Sequence, residues 1–284
     1  MRVAVACGDG LYNRALCARI AQEHEIVGIV VYAPGDGRGP QISRLRRRLA
    51  PGAAVRYLRT RWLVHRYERA ARALVERLFF TNGRPPAVPP GVPFVRVKNV
   101  NAEEAVMMVT RTAPDVLCVD GTNLLRQPML ELIPRLRYGI INMHTGLSPY
   151  SRGGNCNLFM LLEGHPELVG VTIHHIDAGI DSGDIIVTAR PDLAADDTYE
   201  CIEAKTFRLG ADLMQIALRQ LVEGRAERVR QWDKGKLFLR RTGYLYDIEL
   251  RVRVNQLLES GLLRDYLADR NRRDANVRLV GKAS

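Results

Sequence analysis

Short apolar runs of strand length recur along the chain, each closing in a glycine turn or a polar cluster. Residues 2–7 (RVAVAC), 25–32 (EIVGIVVY), 94–97 (FVRV) and 115–120 (DVLCVD) are such runs. Largely apolar rather than alternating, they predict strands buried on both faces. Between the first two, Gly8-Asp9-Gly10 turns the chain, and residues 11–23 place Leu11, Ala15, Leu16 and Ile20 along one side of a helix. Strand, turn, helix and strand make a βαβ unit. Its repetition predicts an α/β protein with a Rossmann-like, open, mostly parallel sheet flanked by helices. Residues 42–49 and 57–80 predict arginine-laced helices separated at Pro51-Gly52, the second with an apolar stripe of Leu63, Tyr67, Ala70, Leu74 and Leu78. Residues 101–112 predict a helix ending before Pro114, and residues 201–222 an amphipathic helix with Gly224 as its cap.

The proline-rich stretch 83–91 reads as a surface loop, because βα units continue beyond it. The chain therefore divides into residues 1–225, holding the α/β unit, and a small extension over 226–284. In the extension, residues 236–246 suggest a hairpin around Thr242-Gly243, residues 247–270 a helix, and 271–284 a frayed basic tail.

Two further runs carry most of the candidate chemistry: YGIINMHTGLSPYSRGGN (138–155) and GVTIHHIDAGIDSGDII (170–186). Each starts apolar and breaks into polar residues and glycines, as a strand does when it delivers side chains to a site at its end. Asn142 and His144 lie two apart and share one strand face. The loop 177–184 can bring a carboxylate, Asp181, to them. An amide that donates without titrating, an imidazole that titrates near neutrality and an acid beside it suit acyl transfer without a covalent intermediate.

Asn142-x-His144, followed by Leu147-Ser148-Pro149-x-x-Arg152-Gly153 and by Gly170-Val171-Thr172-Ile173…Asp177-x-Gly179-Ile180-Asp181-Ser182-Gly183-Asp184, resembles the formyltransferases that use N10-formyltetrahydrofolate. That family includes methionyl-tRNA, glycinamide ribonucleotide and sugar N-formyltransferases. The resemblance implies that Asn142 meets the formyl oxygen, that His144 supports the oxyanion and moves the amine's proton, and that Asp181 orients His144 and favours its charged form. It implies a pterin site at Gly121, Leu124 and Leu125 and along the loop of Asp177 and Gly179, with His175 lining it. Arg152 and Gly153 would shape the loop over the acceptor. The implied co-substrate is N10-formyltetrahydrofolate, with no metal, and the implied acceptor is a small or medium amine such as a nucleotide-linked amino sugar. Ser148 stands where relatives often carry a second leucine, and Thr145-Gly146 replaces a longer apolar link. Both departures bear on the acceptor.

Methionyl-tRNA formyltransferase is the alternative within the family. Its relatives carry a C-terminal β-barrel, which a largely helical stretch of ~60 residues cannot make. Carbamoyl transfer on the same scaffold, and a non-catalytic folate- or RNA-binding protein, are further readings; pure binding would need none of the three polar residues. Neighbours on a strand face opposite ways, so His174 and His175 cannot both reach one ion, and no zinc spacing is present. Ser148 lacks a nucleophile elbow, and Cys156, at a helix start, reads as a packing residue. Gly8-Asp9-Gly10 lacks the third glycine of a dinucleotide fingerprint.

The net charge of +11 admits an anionic substrate or RNA, or arginines on solvated faces. The five cysteines are scattered without a CxxC pair, which favours a reducing, cytoplasmic setting. No apolar run approaches the ~20 residues that span a bilayer. The extension could also serve a homodimer.

Overall fold

The computed structural model describes residues 1–34, 52–239 and 244–281. Its centre is a seven-stranded sheet of order β3-β2-β1-β4-β5-β7-β8. The strands are β1 (Arg2–Cys7), β2 (Glu25–Tyr32), β3 (Phe94–Val97), β4 (Val116–Asp120), β5 (Ile140–His144), β7 (Val171–His175) and β8 (Ile185–Ala189). Strands β3 to β5 run parallel; β7 is antiparallel to both β5 and β8. This is the α/β sheet the apolar runs predict.

Strand parity sorts the core. Val3 and Val5 face one side with Leu16, Ile20, Ile141, Met143, Leu213 and Met214, where α1 (Leu11–Ile20) and α5 (Tyr199–Val222) lie. Ala4 and Ala6 face the other with Val109, Leu117, Leu132 and Ile140, under α3 (Glu103–Thr112) and a 3₁₀ turn over Met129–Arg135. The same parity puts Asn142 and His144 on the Ile140 side. Helix α5 is capped by Thr198, whose hydroxyl accepts from the Cys201 N–H. Gly224 follows at φ +67, the left-handed turn that glycine adopts without strain.

Helix α2 (Ala53–Phe79) forms as expected, but its buried stripe is Val64, Tyr67, Ala71 and Phe79, with Ala70 exposed. The seat is rotated by a residue because α2 packs against two helices, α5 and α6 (Tyr244–Glu259). His65 is exposed. The helix expected over 42–49 lies outside the described residues. No helix among the described residues is long and apolar enough to cross a membrane.

The segment after residue 225 departs from expectation in two ways. The turn of the hairpin expected over 236–246, Thr242-Gly243, lies outside the described residues. Among the described residues, β9 (Lys236–Phe238) pairs in parallel with the short strand β6 (Ser151–Gly153), and a helix begins at Tyr244. The unpaired backbone of β6 supplies a better partner than a two-stranded ribbon standing alone. The tail, too, is not frayed as a whole. Helices α7 (Leu262–Ala268) and α8 (Arg270–Asp274) lead to Val280, which donates its N–H to Thr188 Oγ1 at 2.7 Å and accepts from the Thr188 N–H at 2.8 Å. Asp274 holds Arg190 through two bonds of 2.5 and 2.6 Å. Val254, Leu258, Leu263 and Tyr266 bury with Leu158, Leu161, Tyr199 and Ile202. At ~1.5–3 kcal/mol for each buried side chain, this packing outweighs exposed pairs such as Arg66–Glu259, worth ~0–1 kcal/mol.

Candidate active site

The strand pair β5–β7 builds the site. Its antiparallel register sets Asn142 opposite His174 and His144 opposite Thr172. The loop after β7 folds back over this face and delivers Asp181 in a left-handed conformation, φ +47. Asp177 shapes the loop: its Oδ1 accepts from the Gly179 N–H at 2.9 Å and from Ser182 Oγ at 2.8 Å, an Asx turn that supplies structure rather than chemistry.

Asn142, His144 and Asp181 converge. His144 Nδ1 lies 3.5 Å from Asp181 Oδ2, and Asn142 Nδ2 donates to Asp181 Oδ1 at 3.3 Å. Asp181 also accepts the Gly153 N–H at 2.9 Å, so the residue expected to shape the loop acts through its backbone. Sequence parity did not find the fourth member, His174. Its Nε2 lies 3.1 Å from Asn142 Nδ2 and 3.5 Å from Asp181 Oδ1. His174 Nδ1 donates to the His175 carbonyl at 2.8 Å, so in the neutral ring Nε2 is the acceptor of the Asn142 amide. The antiparallel register would have identified it, but no residue pattern reveals a register before the strands are paired.

His175 points to the opposite side of the strand, away from the three catalytic candidates. Its Nε2 is buried without a hydrogen-bond partner. Burial, helped by the charge of Arg228, pushes its imidazole down to about 4. Of the other pterin candidates, Gly121 ends β4 at φ +65, Leu124 is exposed, and Leu125 packs into the core. Asn99, Asn101 and Asn123 brace this edge, with Asn123 Oδ1 accepting the Val100 N–H at 2.9 Å and Asn101 Nδ2 donating to the Leu124 carbonyl at 3.0 Å. Arg152 is half-buried, and its Nε is shielded without a hydrogen-bond partner. The Cys156 thiol, pushed up to about 12 by burial, is a packing group. No three His, Cys, Asp or Glu side chains among the described residues are arranged to hold a metal ion.

Electrostatics divides the labour. Burial lowers the His144 imidazole and outweighs the opposing pull of Asp181, so the ring rests neutral rather than charged. Burial works against the Asp181 carboxylate too, but the two imidazoles and the Gly153 N–H overcome it and hold the acid ionised. His144 Nε2 faces the Ser151 carbonyl at 3.3 Å. Both ring nitrogens therefore face acceptors, and since a neutral imidazole donates through only one of them, the second contact becomes a hydrogen bond when the ring takes up a proton.

The depressed His175 has a measurable consequence. Its folded-state value lies below the unfolded ~6.5, so the unfolded chain binds the proton first. The stability it contributes is complete above ~6.5 and is lost as pH falls towards about 4. Asp120, raised by burial to about 7, has the opposite slope in this window, so the comparison between variants isolates the effect. Urea unfolding of His175→Phe is expected to lose less stability than the parent between these pH values; equal losses would remove the assignment.

Fold and site together define a class, enzymes that pass a one-carbon acyl group between nitrogens at the end of a parallel sheet. Residues 1–218 match the Formyl transferase family model, and the chain belongs to that folate-dependent family. It is 32% identical over 144 residues to a methionyl-tRNA formyltransferase of Geobacter metallireducens and 33% identical over 147 residues to one of Burkholderia multivorans. These matches cover 50% and 52% of this chain but 45% and 44% of the relatives, so the chain matches less than half the length of either. Solved structures share the fold. A sugar N-formyltransferase from a Shewanella species aligns with a TM-score of 0.53 at 16% identity, over 89% of this chain and 87% of that one. A phosphoribosylglycinamide formyltransferase from Anaplasma phagocytophilum aligns with 0.53 at 15%, over 85% and 99%.

Proposed function

We propose that the protein transfers a formyl group from N10-formyltetrahydrofolate to the amine of a small or medium acceptor. The observation that carries this reading is the meeting of Asn142, His144 and Asp181 within hydrogen-bond or ion-pair reach of one another. The acceptor amine attacks the formyl carbon and loses its proton to His144, and Asp181 stabilises the imidazolium that results; collapse of the tetrahedral carbon breaks its bond to N10, which leaves with the proton returned by His144. Asn142 supports the formyl oxygen with the N–H that otherwise makes the long 3.3 Å contact to Asp181. Gly121, Leu124 and the 177–184 loop border the pterin side, and Arg152 faces an anionic part of the acceptor. We take residues 1–225 as the catalytic unit and 226–284 as an extension that braces it.

The methionyl-tRNA formyltransferase relatives favour a second reading, in which the acceptor is charged initiator tRNA. One experiment separates them. The protein is incubated with N10-formyltetrahydrofolate and, in parallel, nucleotide-linked amino sugars, free amino acids and methionyl-tRNA. Mass spectrometry is expected to find a formamide on a small amine. Formylation of the tRNA alone would replace this acceptor with the second reading, and a formamide on none of them would overturn the transferase reading.

A further inference from the structure

Gln231 lies beyond the 1–218 stretch that matches the family model and takes no part in the chemistry proposed above. Its side-chain amide nevertheless spans the catalytic loop. Nε2 donates to the backbone carbonyl of Asp181 at 2.8 Å and to that of Gly183 at 2.9 Å. Both amide hydrogens are thus spent on the turn that presents the catalytic acid. The backbone bearing Gln231 is itself fixed, because Val229 exchanges two backbone bonds with Ile185, at 2.8 and 2.9 Å, at the start of β8. Gln231 is a short arm on a fastened base.

The turn has reason to need it. Asp181 sits at φ +47, a region that side-chain-bearing residues enter at a cost and keep only when their surroundings hold them. From that position its carboxylate must face His144 Nδ1 and the Asn142 amide together while accepting the Gly153 N–H. A small rotation of the Asp181 peptide would carry the carboxylate away from His144 and leave the ring with the Ser151 carbonyl as its remaining partner.

We infer that Gln231 is a positioning residue for Asp181: it holds the left-handed turn so that the carboxylate stays against His144 Nδ1. The inference rests on the roles given to His144 and Asp181, and its first readout needs no acceptor. Ring ¹⁵N spectra of His144 are recorded for the parent, Gln231→Ala and Gln231→Met, the last being nearly isosteric but unable to donate. Both variants are expected to keep the parent's thermal midpoint within a few degrees and to shift the His144 ring signals from those of the parent. With the acceptor found in the panel, kcat is expected to fall about tenfold to 10²-fold with little change in the KM for N10-formyltetrahydrofolate. In an Asp181→Asn background the same substitutions are expected to change the His144 spectrum no further. Unaltered spectra in folded Gln231→Met would overturn the inference even if formyl transfer is confirmed. Shifted spectra in a protein that formylates nothing would uphold the positioning and reject only the reaction. If Gln231→Ala does not fold, Gln231→Met, which preserves the volume, decides alone.

Discussion

His144→Ala is expected to lower kcat for formyl transfer by about 10²–10⁴-fold, the span usually supplied by a positioned acid–base group. Nothing else at the site can replace it. The nearest imidazole, His174, uses Nδ1 on the His175 carbonyl and Nε2 on the Asn142 amide. Asp181 is held ionised far below neutrality and is too weak a base to take the amine's proton. Binding of the folate should survive, because the residues proposed to border the pterin lie on β4 and on the 177–184 loop. Calorimetric titration with a non-transferable folate analogue therefore separates the two effects. Asp181→Asn should reduce kcat in the same direction by removing the charge that stabilises the imidazolium. A rate within a few-fold of the parent in His144→Ala would end the acid–base assignment.

Gly183→Ala is expected to be the most damaging substitution among the loop glycines. A methyl group there would fall on the carbonyl oxygen of His175, a backbone atom that cannot swing aside. Escape requires parting the ladder in which the His175 N–H bonds the Asp184 carbonyl at 2.9 Å, and with it the path of the Asp181 turn. Overpacking of this kind typically costs ~1–3 kcal/mol, and more where backbone has to move. Gly179→Ala is the control. Its methyl group would meet the Ser182 hydroxyl at the end of a rotatable side chain on an exposed loop. Thermal unfolding should show a large loss for Gly183→Ala and a small one for Gly179→Ala, with activity following the same order. Equal effects would mean that the loop is not clamped where the structure clamps it.

Much of this was legible in the residues alone, for identifiable reasons. Parallel strands buried on both faces write unbroken apolar runs, so β1, β2 and β4 could be placed nearly to the residue, whereas β3, exposed at Phe94 and Arg96, shows only as a short strand. Asn142 and His144 declare their shared face by spacing. Relations between segments were not legible. His174 belongs beside Asn142 because of a strand register, which parity within β7 alone does not reveal. The buried stripe of α2 moved by one residue once two helices, not one, had to be satisfied. Lys236–Phe238 looked like half of a hairpin because its partner, Ser151–Gly153, lies far back in the sequence and is too short to announce itself as a strand. Asp177 and Asp181 look alike in the loop, yet one ties a turn and the other meets the imidazoles.

The parallel pairing of β6 with β9 sets an order of events during synthesis. Ser151 and Gly153, which touch His144 and Asp181, emerge from the ribosome long before Lys236–Phe238 exists to brace them. A nascent chain halted between the two would display every catalytic side chain while its strand β6 remained unsupported. Competence would then arrive abruptly, once Phe238 has left the ribosome.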